Sequence, residues 1–265
     1  MDIRKYYTPI QPSVKFDTAD VSYVEFLPDA RLQPYIYCYW QRSRTAAITE
    51  NFTYRVVADG CIDIFFEQDS SQHCDVMGFC SKFTEFPLEG RFCYTGIRFF
   101  PSMISQLFGI DAKKLSNRTT PLQDVLPDAA AFITRHVHAD MDLPEISTQL
   151  DKYFLQVLSG REIDPDKRFY NALELIFSHK GVIDIDKGLD TGLSPRQLRR
   201  LFERMTGTTA KTFSQVIRFQ SLLKETQSGK SASQVFLSMG YYDQSHFIRE
   251  FKNLYGLTPA KAMQI

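Results

Sequence analysis

One spacing occurs twice in the last hundred residues of this chain and constrains it more than anything else. Ser194 is followed by Leu198, Arg200 and Phe202, and Asp243 is followed at the same offsets by Phe247, Arg249 and Phe251. Gly207 and Gly256 then stand at equal distances beyond the two phenylalanines. Ser and Asp cap a helix by accepting a backbone N–H of its first turn. Gly closes a helix because it enters the left-handed region at no steric cost. The spacing predicts helices over Pro195–Thr206 and Gln244–Tyr255. The first buries Leu198, Leu201, Phe202 and Met205 and presents Arg196, Gln197, Arg199, Arg200 and Arg204. The second buries Phe247, Phe251 and Leu254 and presents Gln244, Ser245, Ile248, Arg249 and Lys252. A short helix is expected before each: Ile183–Leu189, turning through Gly192, and Ala232–Met239, turning through Gly240-Tyr241-Tyr242. A longer helix over Ala210–Gln227 joins the units. Helix, tight turn and capped basic helix make a helix-turn-helix outline, here twice.

Such helices suit DNA for chemical reasons. A helix fits the major groove, Arg pairs bidentately with guanine and Gln with adenine. Capped N-termini favour phosphate. Two on one chain can address consecutive major-groove segments about one turn apart. The whole-chain balance of 31 basic and 31 acidic residues hides an asymmetry. From Asp166 onward there are 15 Lys and Arg against 9 Asp and Glu, which leaves 16 against 22 in the first 165 residues. A basic half of this kind points to nucleic acid. The plainer reading, a helical bundle with a solvated basic face, explains one such helix better than two matching ones.

Residues 166–265 resemble the tandem helix-turn-helix domain of the AraC/XylS family of bacterial transcription regulators. The resemblance rests on Gly240-Tyr241, Ser245-His246-Phe247, Arg249-Glu250-Phe251-Lys252 and Gly256-Leu257-Thr258-Pro259. It implies base contacts from Arg196, Arg199 and Arg200 in the first helix and from Gln244, Ser245, His246 and Arg249 in the second. It also implies double-stranded DNA as partner, with RNA polymerase as a candidate one. Two positions depart from the family pattern: its small Ala in each unit's first helix is replaced by Gly188 and Phe236. Gly188 weakens its short helix by about 1 kcal/mol relative to Ala, and Phe236 demands repacking around the second turn.

The first hundred residues read as strands over Val21–Leu27, Tyr35–Trp40, Phe52–Val57, Cys61–Glu67, Val76–Phe79 and Phe92–Phe100. Turn residues divide them at Pro28-Asp29, Asp59-Gly60, Asp69-Ser70-Ser71 and Glu89-Gly90. That frequency suggests a sandwich or barrel. Helical spacing takes over from Pro101, and Leu143, Ile146, Leu150, Phe154 and Leu158 form one stripe of a helix over Leu143–Leu158. The stripe packs on its own domain or forms a homodimer seam; spacing alone fits both. The expected class is α+β: a β-rich domain with trailing helices over residues 1–161, a linker over 162–166, and an all-α DNA-binding domain over 167–265. The runs Leu32-Gln33-Pro34-Tyr35 with Tyr39-Trp40, Ala58-Asp59-Gly60-Cys61-Ile62-Asp63, Gly96-Ile97-Arg98-Phe99 and Leu115-Ser116-Asn117-Arg118 are similar to a sensor-like domain often fused to AraC-type ends. In that group the Asp-Gly-Cys run usually follows Pro, where this chain has Ala58. That resemblance implies a β-rich fold, cupin-like in one version, and names no ligand.

Enzyme chemistry has little to stand on. The five histidines are scattered, His136 and His138 would face apart on a helix, and His73-Cys74 with Cys80 is a weak metal or thiol cluster. Carboxylates beside Cys61 would raise its pKa. No catalytic motif, metal site or cofactor is expected. A pocket built from Tyr35, Tyr37, Tyr39, Trp40, Phe65, Phe66 and Arg98 is the candidate effector site, with Trp40 and Arg98 its chief ligand contacts and Arg98 holding an anion. A protein-interaction role for this half is the alternative. No stretch has signal-peptide or membrane-span character, so a cytoplasmic protein with reduced thiols is expected.

Overall fold

The computed structural model describes residues 2–12, 21–45, 52–68, 73–160, 166–189, 191–229 and 235–262. Strands β1 (Val21–Phe26), β2 (Ile36–Arg44), β3 (Phe52–Val56), β4 (Ile62–Glu67), β5 (Cys74–Met77), β6 (Thr84–Leu88), β7 (Phe92–Phe99) and β8 (Thr119–Pro121) build the first half. Six of them form an antiparallel sheet in the order β1-β2-β7-β4-β5-β8, and β3 pairs with β6 as a separate ribbon. The expected β-rich, antiparallel domain is present, as one six-stranded sheet with a two-stranded ribbon. Neither β6, interrupted by Pro87, nor the three-residue β8 stands out in the sequence pattern.

Strand alternation decides what covers each face. Tyr39 and Phe99 point to the helical layer, α1 (Met103–Phe108), α2 (Leu122–Val125), α3 (Pro127–His136) and α4 (Leu143–Ser159). Tyr39 Oη donates to Asp151 Oδ1 of α4 at 2.8 Å, and the Phe99 and Phe154 rings meet edge-on at 5.5 Å. Leu143, Ile146, Leu150 and Phe154 are all buried there, so the stripe of α4 packs on its own domain. Trp40, Arg42, Asp63, Phe65 and Arg98 point to the other face, under the ribbon, where Phe65 meets Phe86 edge-on at 6.2 Å.

The second half consists of α5 (Lys167–Ser178), α6 (Ile185–Gly188), α7 (Pro195–Thr206), α8 (Ala210–Gln227), α9 (Gln244–Tyr255) and α10 (Pro259–Ala262). The bounds of α7, α8 and α9 coincide with those the spacing predicts. Asp166 caps α5 by accepting from Arg168 N at 3.0 Å; the rest of the expected linker lies outside the described residues. The beginning of the expected helix 232–239 also lies outside them, and Val235–Gly240 is closed by turn bonds such as Met239 N to Val235 O at 3.1 Å. No helix among the described residues is long and apolar enough to cross a membrane.

One cluster of buried side chains runs through both halves, from Ile3 to Tyr255. The run Ala58-Asp59-Gly60-Cys61 is a main meeting point. Gln220 of α8 donates to Ala58 O at 2.9 Å and to Ile10 O at 3.1 Å, while Ala58 N donates to Leu254 O of α9 at 3.3 Å. A Cβ on Gly60 would stand 3.3 Å from the Phe213 ring of α8. The two halves are thus packed through side chains, not merely tethered.

Candidate nucleic-acid interface

The ends of α7 and α9 are made as the sequence predicts. Ser194 Oγ accepts the Gln197 N–H at 3.3 Å and Gln197 Oε1 accepts the Ser194 N–H at 3.0 Å, a reciprocal capping box. Asp243 Oδ1 accepts the His246 N–H at 2.7 Å. Gly207 and Gly256 close the helices at φ +87° and +94°, a conformation that other residues adopt only under strain. Leu198, Phe202, Phe247, Phe251 and Leu254 are buried; Leu201 and Met205 are partly so.

This packing leaves Arg196, Arg199, Arg200, Gln244, Ser245 and Arg249 exposed on the outer faces. Arg199 is tied along its own helix to Glu203 at 3.0 Å. Arg200 lines a surface groove with Gln197, Arg204, Lys113, Arg168 and Asp111. His246 differs from the others. Its ring lies 5.7 Å from that of Tyr241 and Nε2 is 3.7 Å from Glu250 Oε2, while 40% of the side chain stays exposed, so it sits at the edge of the outer face. Tyr242, 92% exposed just before the Asp243 cap, is an outer-face residue that a cap-and-apolar pattern does not select. An aromatic side chain beside a helix cap was the available signal.

The two units are anchored by different chemistry. In the second, Arg218 of α8 donates from Nη2 to both oxygens of Glu250, at 2.7 and 2.8 Å, and lies 4.2 Å over the Tyr241 ring. Burial, then the Glu250 charge, raises the Tyr241 pKa. Phe236 stacks on Phe247 at 5.5 Å and 20°. In the first unit, Glu203 reaches outside the helical half to Lys113 at 2.8 Å. A Cβ on Gly188 would stand 2.8 Å from Ile183 Cγ1, so the short helix trades stability for close packing.

In the first half, Trp40, Phe65 and Arg98 wall one cavity of about 180 Å3 with Arg42, Tyr54 and Phe86. The expected pocket is otherwise divided, because neighbouring strand residues face opposite ways. Tyr39 points to α4, Phe66 is fully buried, and Tyr37 packs edge-on against Phe100. Trp40 lies across Gly96, its partner in register; a Cβ there would come within 2.2 Å of the indole. Arg98 is committed within the protein. It donates to Asp63 at 2.9 Å and lies 3.8 Å from Asp59. Burial opposes its charge most strongly, but Asp63 with Tyr23, Asp59 and Cys38 together outweigh it and the guanidinium pKa is raised. The anion-holding role expected of Arg98 is therefore already filled by Asp63. Arg42 is the other cationic side chain on the cavity wall, buried and 4.1 Å over the Tyr54 ring.

Burial, then Asp59, raises the Cys61 thiol well above its ordinary pKa. Burial also pushes Cys74 up to about 12 and Cys80 up to about 11. Such thiols are protonated and slow to react at neutral pH. Among the described residues no group of three or more His, Cys, Asp or Glu is placed to hold a metal ion.

Residues 24–121 match a family model described as a domain of unknown function (DUF6597), and residues 190–264 match one described as a helix-turn-helix domain. The invasion protein InvF of Salmonella typhi, and that of Salmonella typhimurium, are each 37% identical over 79 residues, which is 29% of this chain and 37% of theirs. The match thus spans little more than a third of the length of these curated relatives. ToxT of Vibrio cholerae O395 is similar at 12% identity over 92% of this chain and 96% of its own, with a TM-score of 0.37. An apo ToxT variant from strain SCE256 is similar at 10% identity over 94% and 98%, with a TM-score of 0.39. With the Gly-Tyr turn and the two capped, glycine-closed helices in place, residues 190–264 are an AraC-type helix-turn-helix domain, the DNA-binding domain of that family's transcription regulators, carried behind an N-terminal domain of unknown function.

Proposed function

We propose that this chain is a one-component transcription regulator that binds specific double-stranded DNA through α7 and α9 and is controlled through its N-terminal domain. The observation that carries the reading is the pair of equivalent helices, each burying its Phe and exposing its Arg at the same offset. Arg196, Arg199 and Arg200 with Gln244, Ser245 and Arg249 are the reading residues. Tyr242 joins them from the second turn, and His246, partly exposed at the edge of the same face, completes the set. The comparisons point to a regulator rather than an enzyme.

The cavity under the β3–β6 ribbon is the effector site in this reading. Its size and aromatic walls suit a small flat organic molecule; an engineered cavity of about 150 Å3 takes benzene. An effector acts by its differential affinity for two arrangements of the halves. A thermal shift with small aromatic compounds checks this role. A co-purifying protein and no such shift would favour a protein-interaction domain instead.

The test is selection of bound duplexes from a random-sequence pool with the full chain, followed by titration of variants. Arg200→Ala is expected to cost about 1–3 kcal/mol and to relax preference at one base pair. Equal weakening on every sequence would make Arg200 a phosphate contact. A pool with no enriched sequence would overturn the reading.

A further inference from the structure

The helix-closing glycines occupy the same position in each repeated unit, and both are docked on one piece of the N-terminal domain. At the end of α7, Ser116 Oγ donates to Gly207 O. A Cβ on Gly207 would stand 2.8 Å from Ser116 Oγ and 3.1 Å from Phe79 Cβ. At the end of α9, a Cβ on Gly256 would stand 2.9 Å from the Phe83 ring and 2.8 Å from Arg55 Nε. Phe83 N donates to Asn253 O at 3.1 Å, and Asn253 Nδ2 donates to Ser81 O at 3.2 Å. Phe79, Ser81 and Phe83 belong to a single connection, residues 78–83, between β5 and β6.

That connection is itself braced. Asn117 N donates to Phe79 O at 2.8 Å, and Asn117 Oδ1 accepts from both Ser81 N and Ser81 Oγ at 2.8 Å. A Cβ on Gly78 would fall 2.0 Å from Leu115 O, so the backbones are in contact there. Residues 78–83 and 115–117 therefore form one unit that holds the C-terminal end of both recognition helices, while their N-terminal residues face outward.

We propose that this unit is a positioning element that sets the separation of α7 and α9, and with it the spacing between the two DNA segments that the chain accepts. The inference rests on α7 and α9 being the DNA-reading helices. Docking at equivalent points of two repeated units adds a constraint on their relative placement to that of α8, which packs on α7 through Phe213 against Phe202 and on α9 through Arg218 with Glu250. Two helices bound rigidly together accept one spacing; two free to move accept several, at the cost of ordering them on each binding event.

The test begins with duplexes selected by the full-length protein and varies the number of base pairs between the two recognised segments. The wild-type chain is expected to lose at least tenfold in affinity when about half a helical turn, roughly 5 base pairs, is inserted. The Phe83→Ala/Ser116→Ala double variant is expected to lose less than threefold for the same insertion and to bind a single segment as the wild type does. The milder Asn253→Ala/Ser116→Ala pair removes a hydrogen bond at each helix end and should flatten the profile in the same direction if the first variant does not fold. Variants that fold, bind DNA and keep the wild-type spacing profile would overturn the positioning role alone. A wild-type chain that selects no duplex would overturn the DNA reading beneath it.

Discussion

The first and second helix-turn-helix units share their offsets and differ in what holds them. The second is tied to α8 through a largely buried ion pair, Arg218 with Glu250, under the Tyr241 ring. The first is tied to the N-terminal domain through Lys113 and Glu203, of which Lys113 is well exposed. Equal spacing thus specifies equal reading surfaces but not equal anchoring. Both units dock on the domain in front of them; the second adds a buried ion pair within the helical half, and the first adds an exposed one to that domain. An N-terminal domain that altered its grip would act on the first unit more readily.

The largest expected break in this comparison is at Glu250. Glu250→Ala strands the Arg218 guanidinium in a largely enclosed site and should cost about 3–5 kcal/mol in denaturant unfolding. A cost under about 1 kcal/mol would mean that the second unit is held by its apolar packing alone. The helix caps come next. Ser194→Ala and Asp243→Ala should each cost about 1 kcal/mol, since each cap accepts one first-turn N–H. The reciprocal bond, from the Ser194 backbone N–H to Gln197 Oε1, survives Ser194→Ala and is removed by Gln197→Ala instead.

The smallest effect belongs to Glu203. Lys113 and Arg199 hold its carboxyl below the ordinary glutamate pKa. Its stabilising contribution is therefore present above the ordinary glutamate range and is lost as pH falls through the lowered pKa. Melting curves of Glu203→Gln should show a deficit of at most about 1 kcal/mol at neutral pH that closes in acid. A deficit independent of pH would remove the ion pair from the account.

The helical half is legible because caps, apolar offsets and closing glycines are local signals. The bounds of α7, α8 and α9 follow from them directly. The stripe of α5, Phe169, Ala172, Leu173, Ile176 and Phe177, is equally local, but that helix is not among the expectations drawn from the sequence. Expectations fail where placement depends on distant partners. The pocket expected around Tyr39, Trp40, Phe65 and Phe66 mixes residues of both sheet faces, and alternation separates them. Arg98 reads as an anion site in isolation, and only the register that sets it opposite Asp63 shows its charge to be already matched. The docking of residues 78–83 on two helices far along the chain has no sequence signature at all.

The central claim is that α7 and α9 together read specific DNA. The most direct measurement is binding of the full chain to DNA from upstream of its own gene and to unrelated DNA of the same length, across a salt series. The account predicts tighter binding to the upstream fragment, with affinity for both falling as salt rises. Absence of binding to either fragment at low salt would contradict it.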